Sequence, residues 1–282
     1  MLISIITVNY NDVRGLIKTL ESVQCQDFDD YEHIVIDGGS TDGSKELLET
    51  SQGKFLNWVS EPDNGIYDAM NKGIERATGE YILFINSGDT LFNAGALSQV
   101  CKSLQTGTAI VYGNLRIVKE DGYSFTNTYP GCVDFSFFKR TSLGHGATFI
   151  KRSLFETYGN YRTDLKIVSD WAFFIKVLCE AKVSQAKVDM VISTFYEGGV
   201  STTPENTELH KAERKQVLKE HFDLYDETFD NVLEKQMKID SVWSQVNDKL
   251  NIVVTNAFFL KILNAVIAFL GWILERKRQW FN

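Results

Sequence analysis

Short apolar runs at 2–9, 32–37, 55–60 and 80–86 alternate with helix-compatible stretches near 12–24, 42–51 and 66–77. That alternation predicts βαβ units and a parallel sheet with flanking helices. After the second run, Ser40, Thr41, Asp42, Gly43 and Ser44 favour a turn and a helix cap before Lys45-Glu46-Leu47-Leu48 starts a helical pattern. A loop is therefore expected at the carboxyl end of that strand, the edge at which open α/β sheets bind ligands.

Three acids, Asp37, Asp63 and Asp89, each follow an apolar strand run and should share this edge. Alone, each can equally cap a helix or hold a turn. Together they form a rim that would repel a diphosphate unless a divalent cation lay between, and oxygen ligands suit Mg2+ or Mn2+. A dinucleotide-binding dehydrogenase is set aside because the first strand runs into Asn9-Tyr10-Asn11-Asp12, without a G-x-G-x-x-G turn.

Beyond residue 106 the pattern is less regular. Ala109–Tyr112, Tyr123–Tyr129 and Gly146–Ile150 are β-rich and suggest a mixed or antiparallel extension. Residues 169–181 read as a largely buried helix capped by Ser169 or Asp170, followed by a strand near 186–195 and a Gly198-Gly199 loop. After Pro204 the chain turns charged and helical to about 250, then strongly apolar from Ile252 to Leu274.

A chain of 282 residues can bury one sizeable core with a smaller appended segment. Its net charge of -8 argues against nucleic-acid binding, which needs clustered Lys and Arg. Cys25, Cys101, Cys132 and Cys179 form no C-x-x-C pair and are expected as reduced, buried thiols. Met1–Val8 lacks a basic leader and a cleavage site, which predicts a first strand and cytoplasmic residence.

The segments Ser4-Ile5-Ile6-Thr7-Val8-Asn9-Tyr10-Asn11, Ile36-Asp37-Gly38-Gly39-Ser40-Thr41-Asp42-Gly43, Glu61-Pro62-Asp63-Asn64-Gly65-Ile66-Tyr67-Asp68-Ala69-Met70-Asn71-Lys72-Gly73-Ile74 and Asn86-Ser87-Gly88-Asp89 are specific in their order and spacing. With them the chain resembles the family 2 glycosyltransferases, in particular the non-processive bacterial enzymes of exopolysaccharide or lipid-linked repeat-unit synthesis. The resemblance runs from Ser4 to about Ser201. It implies an α/β GT-A fold, a Rossmann-like nucleotide-binding mixed sheet flanked by helices. The catalytic domain would occupy 1–204, with 1–106 binding the nucleotide sugar and 107–204 the acceptor. A helical C-terminal extension would follow at 205–282.

Carried over by position, the resemblance makes Asp37 the acid that hydrogen-bonds the donor's base, with Asp63 nearby and Thr7 and Asn9 as first-strand contacts. Asn86–Asp89 falls on the family's D-x-D-type metal motif and keeps one acid, so Asp89 is the expected ligand of Mn2+ or Mg2+, the diphosphate and water completing the shell. Asp170 matches the proposed catalytic base. His145 is either an acceptor or phosphate contact or a structural residue, and Gly198, Gly199 and Ser201 form either a lid over the diphosphate or a connecting loop. No Q-x-x-R-W signature of processive synthases is present.

The expected activity is therefore inverting transfer of one sugar from a nucleotide-sugar donor, UDP-linked by default, to a saccharide or lipid-linked saccharide acceptor. An apolar helix at about 252–275, closing with Arg276, Lys277, Arg278, Trp280 and Phe281, is expected to lie in the plane of a membrane surface. A helix buried in the fold or in a homo-oligomer interface is the alternative. That places the enzyme peripherally at the inner face of the cell membrane. The competing functions are a non-catalytic nucleotide-sugar-binding module and a scaffold that assembles through the C-terminal helix.

Overall fold

Ile3–Asn9 forms β1 and Tyr31–Asp37 forms β2, and every residue of both is buried. Strands covered on both faces read as continuous apolar runs, which is why the sequence pattern located them. The computed structural model describes residues 1–51, 56–198, 206–222, 238–239 and 241. Leu56–Ser60 (β3) and Tyr81–Phe84 (β4) complete a parallel set in the order β3-β2-β1-β4. Helices α1 (Val13–Gln24), α2 (Ser44–Thr50) and α3 (Ile66–Arg76) make the crossovers.

After Thr90–Leu91 (β5) and the helix Ala96–Leu104 (α4), the direction of pairing changes. Thr148–Lys151 (β8) runs antiparallel to β4 and to Ile110–Val118 (β6), while Gln185–Tyr196 (β9) runs parallel to β6. Ser124–Asn127 (β7) pairs with β6, and β5 closes the order β3-β2-β1-β4-β8-β6-β9-β5. This is the mixed sheet expected of the sequence.

Short helices α5 (Phe135–Arg140), α6 (Ser153–Tyr158) and α7 (Ser169–Phe174) cover the extension, and α7 continues into π-helical turns at Ile175–Glu180. Helix α8 (Thr207–Phe222) follows. One compact unit spans Met1–Val217. Within it Glu213, a buried carboxylate on α8, accepts the backbone N–H groups of Lys166, Ile167 and Val168 at 2.7, 3.0 and 3.2 Å.

Two expectations are corrected. The helix at 169 is not capped by Ser169 or Asp170, since Val168 holds the N-cap position without a side-chain bond and Glu213 gathers the N–H groups just before it. The four cysteines are free, but Cys25 and Cys132 are exposed and Cys101 and Cys179 only partly covered. The apolar segment 252–275 lies outside the described residues. Among those residues, no helix is long and apolar enough to cross a membrane.

Helix α3 lies close on β1. A Cβ at Gly73 would come within 2.5 Å of Ile6 Cγ2, so only glycine allows this approach. Within the sheet, the buried Thr7 and His33 are paired with each other. Thr7 donates its single hydroxyl proton to Ile85 O at 2.6 Å, so the His33 Nε2 that lies 2.9 Å from the same oxygen carries the ring proton. Burial lowers the His33 pKa to about 3, which keeps the imidazole neutral.

Because the unfolded chain takes up that proton near pH 6.5 and the fold does not, His33 supports stability above pH 6.5 and withdraws that support as pH falls towards 3. His33→Gln keeps an N–H for Thr7 and cannot titrate. Between pH 7 and pH 5 the wild type should lose about 2 kcal/mol more than this variant, measured by urea unfolding. Equal losses would contradict the assignment.

Candidate active site

The carboxyl edge of β1 and β2 forms one wall. Asp37, wholly buried at the end of β2, accepts four hydrogen bonds, from Asn9 Nδ2 (2.7 Å), Ser40 N (3.0 Å), Ser40 Oγ (2.5 Å) and Ser60 Oγ (2.6 Å). Burial raises its pKa, but the bonds from Ser40, Ser60 and Asn9 outweigh that and hold it below the usual value. Both carboxylate oxygens are thus engaged within the protein. The Thr7 hydroxyl is also buried, on Ile85 O and beside His33.

What the edge presents is the ring of groups around Asp37. Asn9 leaves its Oδ1 buried without a partner. Across from it, a Cβ at Gly38 would lie 2.4 Å from Asp63 Oδ2 and 3.2 Å from the Tyr10 ring, so glycine opens the space in which these two side chains meet. Tyr10 is 67% exposed. Lys72 holds the Asp63 loop through Pro62 O at 2.9 Å and Glu61 at 3.1 Å.

The Asn86–Asp89 loop follows β4 and is built on α1. Thr19 Oγ1 receives Gly88 N at 3.1 Å and donates to Asp89 O at 2.7 Å, and Ser87 Oγ donates to the Asp12 carboxylate at 3.2 Å. These bonds fix Asp89 against the end of β9, where Tyr196 N donates to its Oδ1 at 3.1 Å. Burial then raises the Asp89 pKa to about 7, with the Tyr196 bond opposing it. Gly198 stands two residues past Tyr196; Gly199 and Ser201 lie outside the described residues.

On the other side, Asp170 sits in the first turn of α7. Its Oδ1 lies 2.8 Å from the Tyr67 hydroxyl, which reaches it from α3, while Oδ2 has no partner among the described residues. His145 is a packing residue here, with its ring centroid 4.3 Å from that of Phe84 and its Nε2 2.8 Å from Tyr161 Oη. Burial lowers its pKa to about 4 against the pull of Asp170, so it brings no positive charge for a phosphate near pH 7.

The family model for glycosyl transferase family 2 matches residues 4–165, more than half of the chain. The chain belongs to glycosyl transferase family 2. A PGL/p-HBAD biosynthesis glycosyltransferase of Mycobacterium bovis is 31% identical over 206 residues, covering 71% of this chain and 79% of the relative. A GalNAc(5)-diNAcBac-PP-undecaprenol beta-1,3-glucosyltransferase of Campylobacter jejuni is 35% identical over 129 residues, 43% of this chain and 40% of its own. Among solved structures, Staphylococcus aureus TarS 1–349 in complex with UDP-GlcNAc superposes with a TM-score of 0.61 at 18% identity, over 77% of this chain and 67% of TarS. The mannosyltransferase PcManGT of Pyrobaculum calidifontis, solved with GDP-Man and Mn2+, gives 0.55 at 20% identity over 78% and 63%.

As a glycosyltransferase with the GT-A architecture, the chain can be tested for a metal-holding site. No group of three His, Cys, Asp or Glu able to hold an ion exists among the described residues. Asp89 is nevertheless a partly covered carboxylate that pairs with no basic side chain among the described residues, and Asn86 Oδ1 is buried without a partner. One carboxylate plus an amide oxygen fits a hard cation that takes its remaining ligands from phosphates and water.

Several residues packed around the candidate site carry little or no sequence signal of their own. Tyr67 and Asn71 lie inside the recognised Ile66–Ile74 segment, and Asn71 brackets the Tyr161 backbone with bonds of 2.8 and 3.0 Å. Tyr10 carries a signal of its own, an aromatic directly after the first apolar run. Thr19 and Glu213 carry none.

Proposed function

We propose that this glycosyltransferase is metal-dependent and inverting, and moves one sugar from a nucleotide-sugar donor to a hydroxyl of a saccharide or lipid-linked saccharide. The observation that carries the reading is Asp170, a carboxylate with one oxygen bonded by Tyr67 and the other unengaged among the described residues. Asn9, Tyr10 and Asp63 would seat the nucleoside beside the β1–β2 edge. Asp89, with Asn86, would hold Mn2+ or Mg2+ at the diphosphate. When bound, that cation supplies charge neutralisation for the leaving nucleotide.

In the reaction, Asp170 Oδ2 accepts the proton of the acceptor hydroxyl as its oxygen bonds to the anomeric carbon. The bond from that carbon to the diphosphate breaks on the opposite face, and the nucleoside diphosphate departs with the electron pair. One base is enough for this single displacement, and general-base assistance typically contributes ~10²–10⁴-fold.

A lipid-linked acceptor is supported by the undecaprenol-linked substrate in the name of the Campylobacter relative and by the apolar, basic-ended segment 252–282. We assign it to the inner membrane face on the same grounds. The non-catalytic alternative draws on the single acid left in the metal loop.

A panel of UDP-glucose, UDP-N-acetylglucosamine and GDP-mannose tests the donor class by thermal shift. A matching nucleotide sugar should raise Tm with Mn2+ present and much less with EDTA. Stabilisation that ignores the metal would overturn the metal assignment. Donor binding without turnover over a broad acceptor set would favour the binding module.

A further inference from the structure

Two residues distant in sequence act on Asp170, Tyr67 at its carboxylate and Glu213 at the backbone just before it. Tyr67 comes from α3, the helix of the donor half; its hydroxyl lies 2.8 Å from Asp170 Oδ1 and 2.7 Å from Ile167 O. Its ring is buried and sits 5.7 Å from that of Tyr161. Because desolvation and the Asp170 charge push the phenol pKa well up, Tyr67 stays protonated; its single proton is shared between Asp170 Oδ1 and Ile167 O, the charged carboxylate being the stronger acceptor.

From the opposite side, Glu213 on α8 receives three consecutive N–H groups, those of Lys166, Ile167 and Val168. Three amides turned towards one carboxylate form an anion nest. It lies just ahead of the N-terminus of α7, whose dipole favours a negative charge there. This fixes the backbone turn from which Asp170 emerges two residues later. Next to Glu213, Arg214 stacks on the Trp171 ring at 4.5 Å, and Trp171 Nε1 donates to Phe138 O at 2.8 Å, so the residue after Asp170 is held as well.

We propose that Tyr67 and Glu213 are positioning residues for the base: Tyr67 fixes the rotamer of the Asp170 carboxylate and reserves Oδ2 for the incoming proton, and Glu213 fixes the turn that carries it. The inference rests on the reading of Asp170 as the base. It gives the Ile66–Ile74 segment a second task, since the helix that follows the Asp63 loop also orients a group on the acceptor side.

The test uses the full chain and follows release of nucleoside diphosphate from the donor selected by the thermal-shift panel, with Mn2+ and water in place of the acceptor. Water needs the same base and no identified acceptor. Tyr67→Phe and Glu213→Gln should each lower kcat by about 10-fold while leaving KM for the donor within about 2-fold. Asp170→Asn is then combined with each. In that background the residual rate should change by less than about 2-fold, because groups that act through one residue are not additive.

A role confined to stability would leave kcat unchanged below the melting transition in both variants. That result, or an undiminished fall in kcat in the Asp170→Asn background, overturns the proposal while Asp170 keeps its role. Wild-type turnover by Asp170→Asn itself would instead strike at the base, and the positioning role would fall with it.

Discussion

Replacing Asp170 with Asn will leave a folded protein that binds donor normally and turns over about 10²-fold more slowly or worse. The fold should tolerate the change because Asp170 is not the cap of α7; Val168 holds that position and Glu213 collects the N–H groups before it. Asn also retains an oxygen for the Tyr67 hydroxyl, so the side chain keeps its place. What it loses is the ability to take a proton. Matched circular dichroism and donor affinity, with a collapsed kcat, would separate chemistry from structure, and wild-type turnover by the folded variant would place the base elsewhere.

Asp89→Asn should abolish metal-dependent turnover and, without metal, make the protein more stable. The first effect follows from removing the only acid in the Asn86–Asp89 loop. The second follows from burial, which raises the carboxylate's pKa from 3.8 to about 7. A group that binds its proton more tightly in the fold loses stability for the native state as pH rises from the unfolded value through the folded one. At pH 8 the charge should therefore cost up to about 4 kcal/mol, which the neutral amide avoids while keeping an acceptor for Tyr196 N. The variant should melt higher than wild type in EDTA, and Mn2+ with the donor should raise the wild type but not the variant, narrowing the gap. A lower Tm in EDTA, or surviving Mn2+-dependent turnover, would contradict this account of Asp89. Stability given up at a charged site is what a cation site is expected to show.

The alternation of strands and helices in the first 86 residues was legible because β1 and β2 are buried on both faces and carry apolar centres, Ile5-Ile6 and Ile34-Val35-Ile36. The mixed half was legible only as β-rich pieces. Antiparallel pairing of β8 with β4 and β6, and the parallel return of β9 onto β6, depend on contacts between segments far apart in the chain.

The site divides in the same way. Asp63 and Asp89 lie in loops after β3 and β4, where the apolar runs before them put them. For Asp37 and Thr7 the resemblance implies donor contacts, and the structure adds that each already has partners within the protein. Sequence position gives the edge but not which polar groups the fold itself consumes. Tyr67 meets Asp170 across 103 residues and Glu213 meets Ile167 across 46, and no spacing rule encodes such pairs.

Inversion at the anomeric carbon is the central claim and can be observed without knowing the acceptor. An α-linked nucleotide sugar selected by the thermal-shift panel is given to the full chain with Mn2+, and the sugar released to water is followed by proton NMR before mutarotation erases its configuration. The single displacement driven by Asp170 predicts that the β anomer appears first. Initial appearance of the α anomer would contradict it, since retention requires a second displacement for which no nucleophile has been assigned.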